Sequence, residues 1–250
     1  MKRTLHLLLC PFFLNSVSAM ELVLQQGQGS YEGARDATLY ADRPENSNGG
    51  FELIFSGATV NSVRRGLIAF DLSNVSLPPK PWEVEVSLVL DRSGLFAPNG
   101  DVFSLHRVTT AWGEGDVATT DVNVGGLGEP AEPGDATWTH SAFGTQQWAI
   151  AGGDFLTSPS ASVPVNRWDD VRQENNIYTF KSEDLARDLE EWSNNPEENH
   201  GWMLIGPEAV ARNARRFWSS EAQDPALRPK LTIRSLAPDS TTSLWAFTGS

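Results

Sequence analysis

Along the middle of the chain, Val84, Val86, Leu88 and Leu90 alternate with Glu83, Glu85, Ser87, Val89 and Asp91. A period of two places the first set on one face, so this stretch predicts a strand with one buried side. Shorter apolar runs follow the same logic at Gly66–Leu72, Val102–Val108, Gly201–Gly206 and Leu231–Arg234. Pro78-Pro79, Pro81 and Pro98-Asn99-Gly100 fall between runs as turn signals. Many short strands separated by turns predict an all-β fold, an antiparallel β-sandwich or barrel.

One segment breaks this rhythm. Leu185, Ala186, Leu189 and Trp192 recur at helical spacing. Ser182 precedes them as a cap, Glu183 and Asp184 suit the positive end of the dipole, and Asn194-Asn195-Pro196 stops the turn. The pattern predicts one short helix near residues 183–193, plugging an end of the sandwich. Between Arg107 and Arg167 there is no Lys or Arg, while Glu114, Asp116, Asp121, Glu129, Glu132, Asp135 and Asp154 accumulate. Glycines and prolines between Gly125 and Gly134 mark its first part as a long irregular loop, a length that usually signals function or mobility.

The two ends read differently from the body. Lys2 and Arg3, an apolar run from Leu5 to Leu14 and the small residues up to Ala19 form the three regions of a secretory signal peptide, 1–19. Its apolar run is about half the ~20 residues a membrane span needs. Residues 236–250 form a polar C-terminal tail, relieved by Leu244-Trp245 and Phe247. The expected domain is 20–235, with no further transmembrane segment and a secreted or cell-surface location. Cleavage removes the only cysteine, Cys10, so the exported chain holds itself without disulfides. The formal net charge of -13 argues against nucleic acid as a partner, since phosphate binding needs a basic face.

Chemistry is sparse. GxSxG, HExxH and P-loop motifs are absent, and Gly126-Leu127-Gly128 lacks the third glycine of a dinucleotide fingerprint. No catalytic residue is assigned and no cofactor is expected; calcium is the one structural ion that two oxygen-rich groups would suit. These are Asp36, Asn46 and Asn48, and Asp116, Asp121, Asn123 with the Gly125 carbonyl, each set against solvated loops and local turns as the plainer alternative. Nine tryptophans offer flat apolar faces to sugar rings, of which Trp138, Trp148 and Trp218 are the surface candidates. Arg64-Arg65 and Arg212, Arg215, Arg216 are the basic clusters. They suit either an acidic sugar, through Arg64 and Arg216, or internal pairing, with Arg65 or Arg228 on Glu221.

An ordered set of motifs resembles a known family. Gln25-Gln26-Gly27 and Tyr31 through Tyr40 are similar to the opening of the DNRLRE domains, the disaggregatase-related group. Arg64 through Ser73 resembles the strand after that family's Asn-Gly turn, here Asn48-Gly49. Trp112-Gly113-Glu114-Gly115, Gly134 through Trp138, Trp148 through Phe155, Trp192, Asn199-His200-Gly201-Trp202, Phe217 through Glu221 and Arg228 through Leu231 follow in the expected order. The naming hexapeptide is absent; Glu221 alone matches its last position. The resemblance implies a jelly-roll-like sandwich in secreted or surface proteins, non-catalytic, and related to carbohydrate-binding modules for acidic polysaccharides such as alginate. The expected function is a secreted polysaccharide-binding module whose partner is a polysaccharide or cell-surface glycan. The alternatives are a structural or adhesive surface protein with no sugar site, and a carboxylate-based polysaccharide lyase or hydrolase.

Overall fold

The computed structural model describes residues 20–94, 97–119, 125–167 and 176–236. The signal-peptide segment and residues 237–250 of the tail lie outside the described residues, as do Asp121 and Asn123. The first strands are β1 (Glu21–Gln25), β2 (Ala34–Tyr40), β3 (Asn46–Ser47), β4 (Leu53–Ala58), β5 (Val63–Phe70), β6 (Trp82–Ser93) and β7 (Asp101–Arg107). There follow β8 (Glu129–Pro130), β9 (His140–Ala142), β10 (Gln146–Gln147), β11 (Ala161–Val165) and β12 (Ile177–Lys181). The helix α1 (Glu183–Asn194) precedes β13 (Trp202–Ile205), β14 (Arg215–Trp218) and β15 (Lys230–Ser235). The fold is all-β; among the described residues there is one α-helix, and none long and apolar enough to cross a membrane.

The main sheet runs β1-β15-β6-β14-β4-β5-β13-β7-β11, with β12 added to β6 and β2 to β5, every pairing antiparallel. It curls into two facing layers. The long strand β6 pairs with β15 and β12 along its first part and with β14 along its last. The strand β4 makes the turn between layers: Leu53–Ser56 pair with β14, then Gly57 and Ala58 pair with β5. Gly57 sits at that change of partner with φ +99, a backbone conformation that side-chain-bearing residues seldom adopt.

The alternation read in β6 holds. Val84, Val86, Leu88 and Leu90 are buried between the layers. They meet Ile68 and Phe70 of β5, Phe103 and Leu105 of β7, Trp202 and Leu204 of β13 and Phe217 of β14. Each such side chain, fully buried, contributes about 1.5–3 kcal/mol. Their outward neighbours Glu83 and Glu85 take ion pairs from Lys181 and Arg234 on the flanking strands, at 2.7–3.3 Å. Part of the acidic excess is thus balanced across the sheet. The helix forms where the cap and stripe place it, with Ser182 Oγ accepting from the Leu185 amide at 3.1 Å. Leu185, Leu189 and Trp192 close one end of the core, Trp192 lying 4.7 Å from Trp202, centroid to centroid.

The segment between β7 and β11 departs from the expected loop. It is irregular in backbone, yet it packs as a cap on the outer face of β2, β5 and β13. Ala37, Leu39, Leu67, Ala69 and Met203 point outward from those strands into a second core with Trp112, Ala136 and Trp148. Several of its acids fold the cap itself. Asp154 accepts from the amides of Ala149 and Ile150 at 2.9 Å, and Asp135 accepts from the Glu132 amide at 2.9 Å. Gly113 leaves no room for a side chain: a Cβ there would lie 1.9 Å from the Gly134 carbonyl oxygen.

Candidate functional site

A groove of about 380 Å³ lies where β4, β14 and the end of β6 meet the β4–β5 turn. That volume falls within the range of small-molecule sites. Register builds it: Phe55 on β4 stands opposite Arg216 on β14, and Arg216 stands opposite Arg92 on β6. Phe55, Ala58, Val60 and Ala214 give it an apolar floor, and Val60 is exposed. Five arginines border it: Arg64, Arg92, Arg212, Arg215 and Arg216.

Burial and partners sort these arginines into two kinds. The Arg64 guanidinium is 2% exposed, pairs with Asp42 at 2.7 Å, and donates to the Gly126 and Val63 carbonyls at 2.9 Å. Arg215 is 1% exposed and donates to the carbonyls of Asn213 at 2.6 Å and Pro98 at 2.7 Å, with Asp101 at 3.3 Å. These two hold the groove's walls. Arg216 is half-buried against Asp91, while Arg92 and Arg212 are exposed. Arg212 has φ 69, alone among the described non-glycine residues at positive φ, so the turn that carries it is held in a sparsely populated conformation. The described residues lining the groove include no carboxylate or imidazole. The arrangement suits an anion on an apolar bed.

The residues singled out from the sequence do not form one site. Arg216 and Trp218 stand on the same face of β14, two positions apart, and Trp218 is half-buried. Arg64 lines the same groove as Arg216, but as a buried brace and not as an open contact. Trp138 and Trp148 belong to the cap. Trp148 is 5% exposed with its indole N–H on the Thr137 carbonyl at 2.8 Å, which leaves no face for a sugar ring. Trp138 is half-buried beneath Arg65, whose guanidinium lies 5.0 Å from the ring centroid. The missed members of the groove are Phe55 and Arg92. Arg92 falls on the inward parity of Val84, Val86, Leu88 and Leu90, yet it is exposed where the register of β6 against β14 shifts between Arg216 and Phe217, so the alternation of β6 gives no signal for it.

The expected internal pairs are corrected too. Arg65 forks onto Glu208 at 2.7 and 2.9 Å, not onto Glu221. Arg228 donates to the carbonyls of Ala222 and Gln26 at 2.8 Å, and its charge is felt by Glu221 without a direct bond. Of the oxygen-rich group, Asn46 donates to the Leu127 carbonyl at 3.0 Å. Asn48 accepts from the Thr38 amide at 2.7 Å and donates to the Leu53 carbonyl at 3.0 Å. The Asn48 amide is spent fastening β2 to the start of β4, and the Asn46 amide nitrogen reaches across to Leu127; of that trio Asp36 alone carries a carboxylate. No family model matches the chain, and no curated protein matches it.

Proposed function

We propose that this protein is an exported, non-catalytic module that binds an acidic polysaccharide in the arginine-bordered groove. One observation carries the reading. In a chain of net charge -13, Arg92 of β6 meets Arg212 and Arg216 from around β14 beside an apolar floor. Uronate sugars match that combination, with carboxylates for the guanidinium groups and C–H faces for Phe55 and Val60. The resemblance to the DNRLRE domains points the same way, since such domains accompany polysaccharide-degrading enzymes and adhesins. The groove is open, so affinity rests on a few contacts and is modest.

The test is retardation in affinity gels cast with alginate, polygalacturonate or a neutral glucan, at low and high salt. Retardation by the acidic polymers alone, weakened by salt, is the expected result. Arg92→Gln and Arg216→Gln each reduce affinity about 10-fold or more, the loss of one charged hydrogen bond. Equal retardation of the variants overturns the assignment to this groove. No retardation by any polymer favours the adhesive reading, and release of new reducing ends from the same polymers favours a lyase or hydrolase.

A further inference from the structure

Away from the groove, three acids far apart in sequence meet. Asp36 lies on β2, Glu114 in the cap, and Glu221 in the turn after β14. One carboxylate oxygen from each lies within 4.8 Å of one from each of the others. Their other contacts hold them in position. Asp36 Oδ2 accepts from the Ser220 amide at 2.7 Å, Glu114 Oε1 accepts from the Asp36 amide at 2.6 Å, and Ser220 Oγ donates toward Glu221 at 2.9 and 3.1 Å. A second observation points to a ligand. Asp36 is 1% exposed, and its Oδ1 is buried with no hydrogen-bond partner among the described residues. A carboxylate oxygen so placed is costly unless something cationic or protic meets it.

We propose that Asp36, Glu114 and Glu221 bind a divalent cation of the calcium type, which clasps β2, the cap and the C-terminal turn together. The donors are all hard oxygens, which favour calcium, magnesium or manganese over thiolate- and imidazole-seeking metals. Calcium–oxygen distances of about 2.3–2.6 Å allow ligand oxygens to stand up to about 5 Å apart, so the observed spacing accommodates one ion. The nearby cations do not replace it. Arg35 spends Nη1 on the Trp112 carbonyl at 2.9 Å, and Arg228 spends its guanidinium on the two carbonyls described above.

The experiment uses the purified chain, treated with EDTA, exchanged into metal-free buffer, and titrated separately with CaCl2, MgCl2 and MnCl2. Calorimetry is expected to show one calcium per chain. Thermal unfolding at a calcium concentration about a hundredfold above Kd should move up by about 5–10 °C. Glu114→Gln and Glu221→Gln should each weaken calcium binding at least about 10-fold, while Asn46→Ala leaves it intact. No heat and no shift with any of the three ions overturns the proposal, as does undiminished binding by the two glutamine variants. If those variants do not fold, titration of the unaltered chain and of Asn46→Ala still decides. Retardation in the polysaccharide gels is a separate readout, so loss of one property does not entail loss of the other.

Discussion

Asp188 provides a quantitative check on how the helix is fastened to the sandwich. It lies on α1, 7% exposed, and accepts the indole N–H of the buried Trp202 at 2.8 Å. Arg107 stands 3.8 Å from its other oxygen but is also paired with Glu191. Replacing Asp188 by Asn keeps an acceptor for the indole; replacing it by Ala leaves a buried N–H unpaired, which costs about 1–3 kcal/mol. Alanine recovers about 0.5 kcal/mol over asparagine in helix propensity. Asp188→Ala is therefore expected to be about 0.5–2.5 kcal/mol less stable than Asp188→Asn, a lowering of about 1–10 °C in Tm for a domain of this size. Urea unfolding at pH 7 measures the difference directly.

The same pair yields a pH arm. Burial raises the Asp188 carboxyl above its ordinary range, against the opposing hydrogen bonds from Ser160 and Trp202 and the charge of Arg107. A raised folded-state value means the native protein retains a proton that the unfolded chain has already shed. The resulting stability is fully present below the unfolded value, near 3.9, and is lost as pH rises through the folded value. Relative to Asp188→Asn, the unaltered protein is thus expected to gain stability as pH falls from 7 toward 4. Other titrating groups are common to both chains and cancel in the difference. Asp188→Ala within about 0.5 kcal/mol of Asp188→Asn, or a gap that widens against the unaltered protein on acidification, would refute the account.

Two further outcomes follow from the geometry. Trp148→Phe removes the indole N–H donated to Thr137 and is expected to lower stability by about 1–3 kcal/mol in chemical denaturation while leaving retardation by acidic polysaccharide unchanged, because neither Trp148 nor Thr137 lines the groove. Arg234→Met breaks contacts to Glu21, Glu83 and Glu85 on a face open to solvent; its cost is expected to stay below about 1 kcal/mol and to shrink in 1 M NaCl, measured by the same unfolding curves.

What the sequence made legible was what a single element decides for itself. The alternation of β6 reports its own two faces, and the stripe and cap of α1 report its own surface, so both fall where the pattern puts them. The strands β2, β5 and β13 gave weaker signals because both their faces are covered. Leu67 and Ala69 face the cap while Ile68 and Phe70 face the sandwich core, which turns alternation into a continuous apolar run. The cap is hard to read in the sequence for a related reason. Its glycines, prolines and acids are what a solvent loop would carry, but Asp135 and Asp154 spend their charge on neighbouring amides, and the tryptophans between them supply a core.

Sites depend on register between distant strands, and composition says little about register. Arg92 and Arg216 become neighbours only because the last part of β6 leaves β12 and takes up β14. Asp36 was noticed with the wrong companions. Asn46 and Asn48 stand near it in sequence, but Asn48 ties a local connection and Asn46 reaches to Leu127, whereas Glu114 and Glu221 arrive from the cap and from the far end of the chain. An acid whose partners are nearby in sequence is usually folding its own turn, as Asp154 does. An acid buried beside others brought from more than seventy residues away along the chain has been carried there by the whole fold, against electrostatic cost. That cost is why Asp36, and not the more numerous acids of the surface, marks the place where an ion would have most to stabilise.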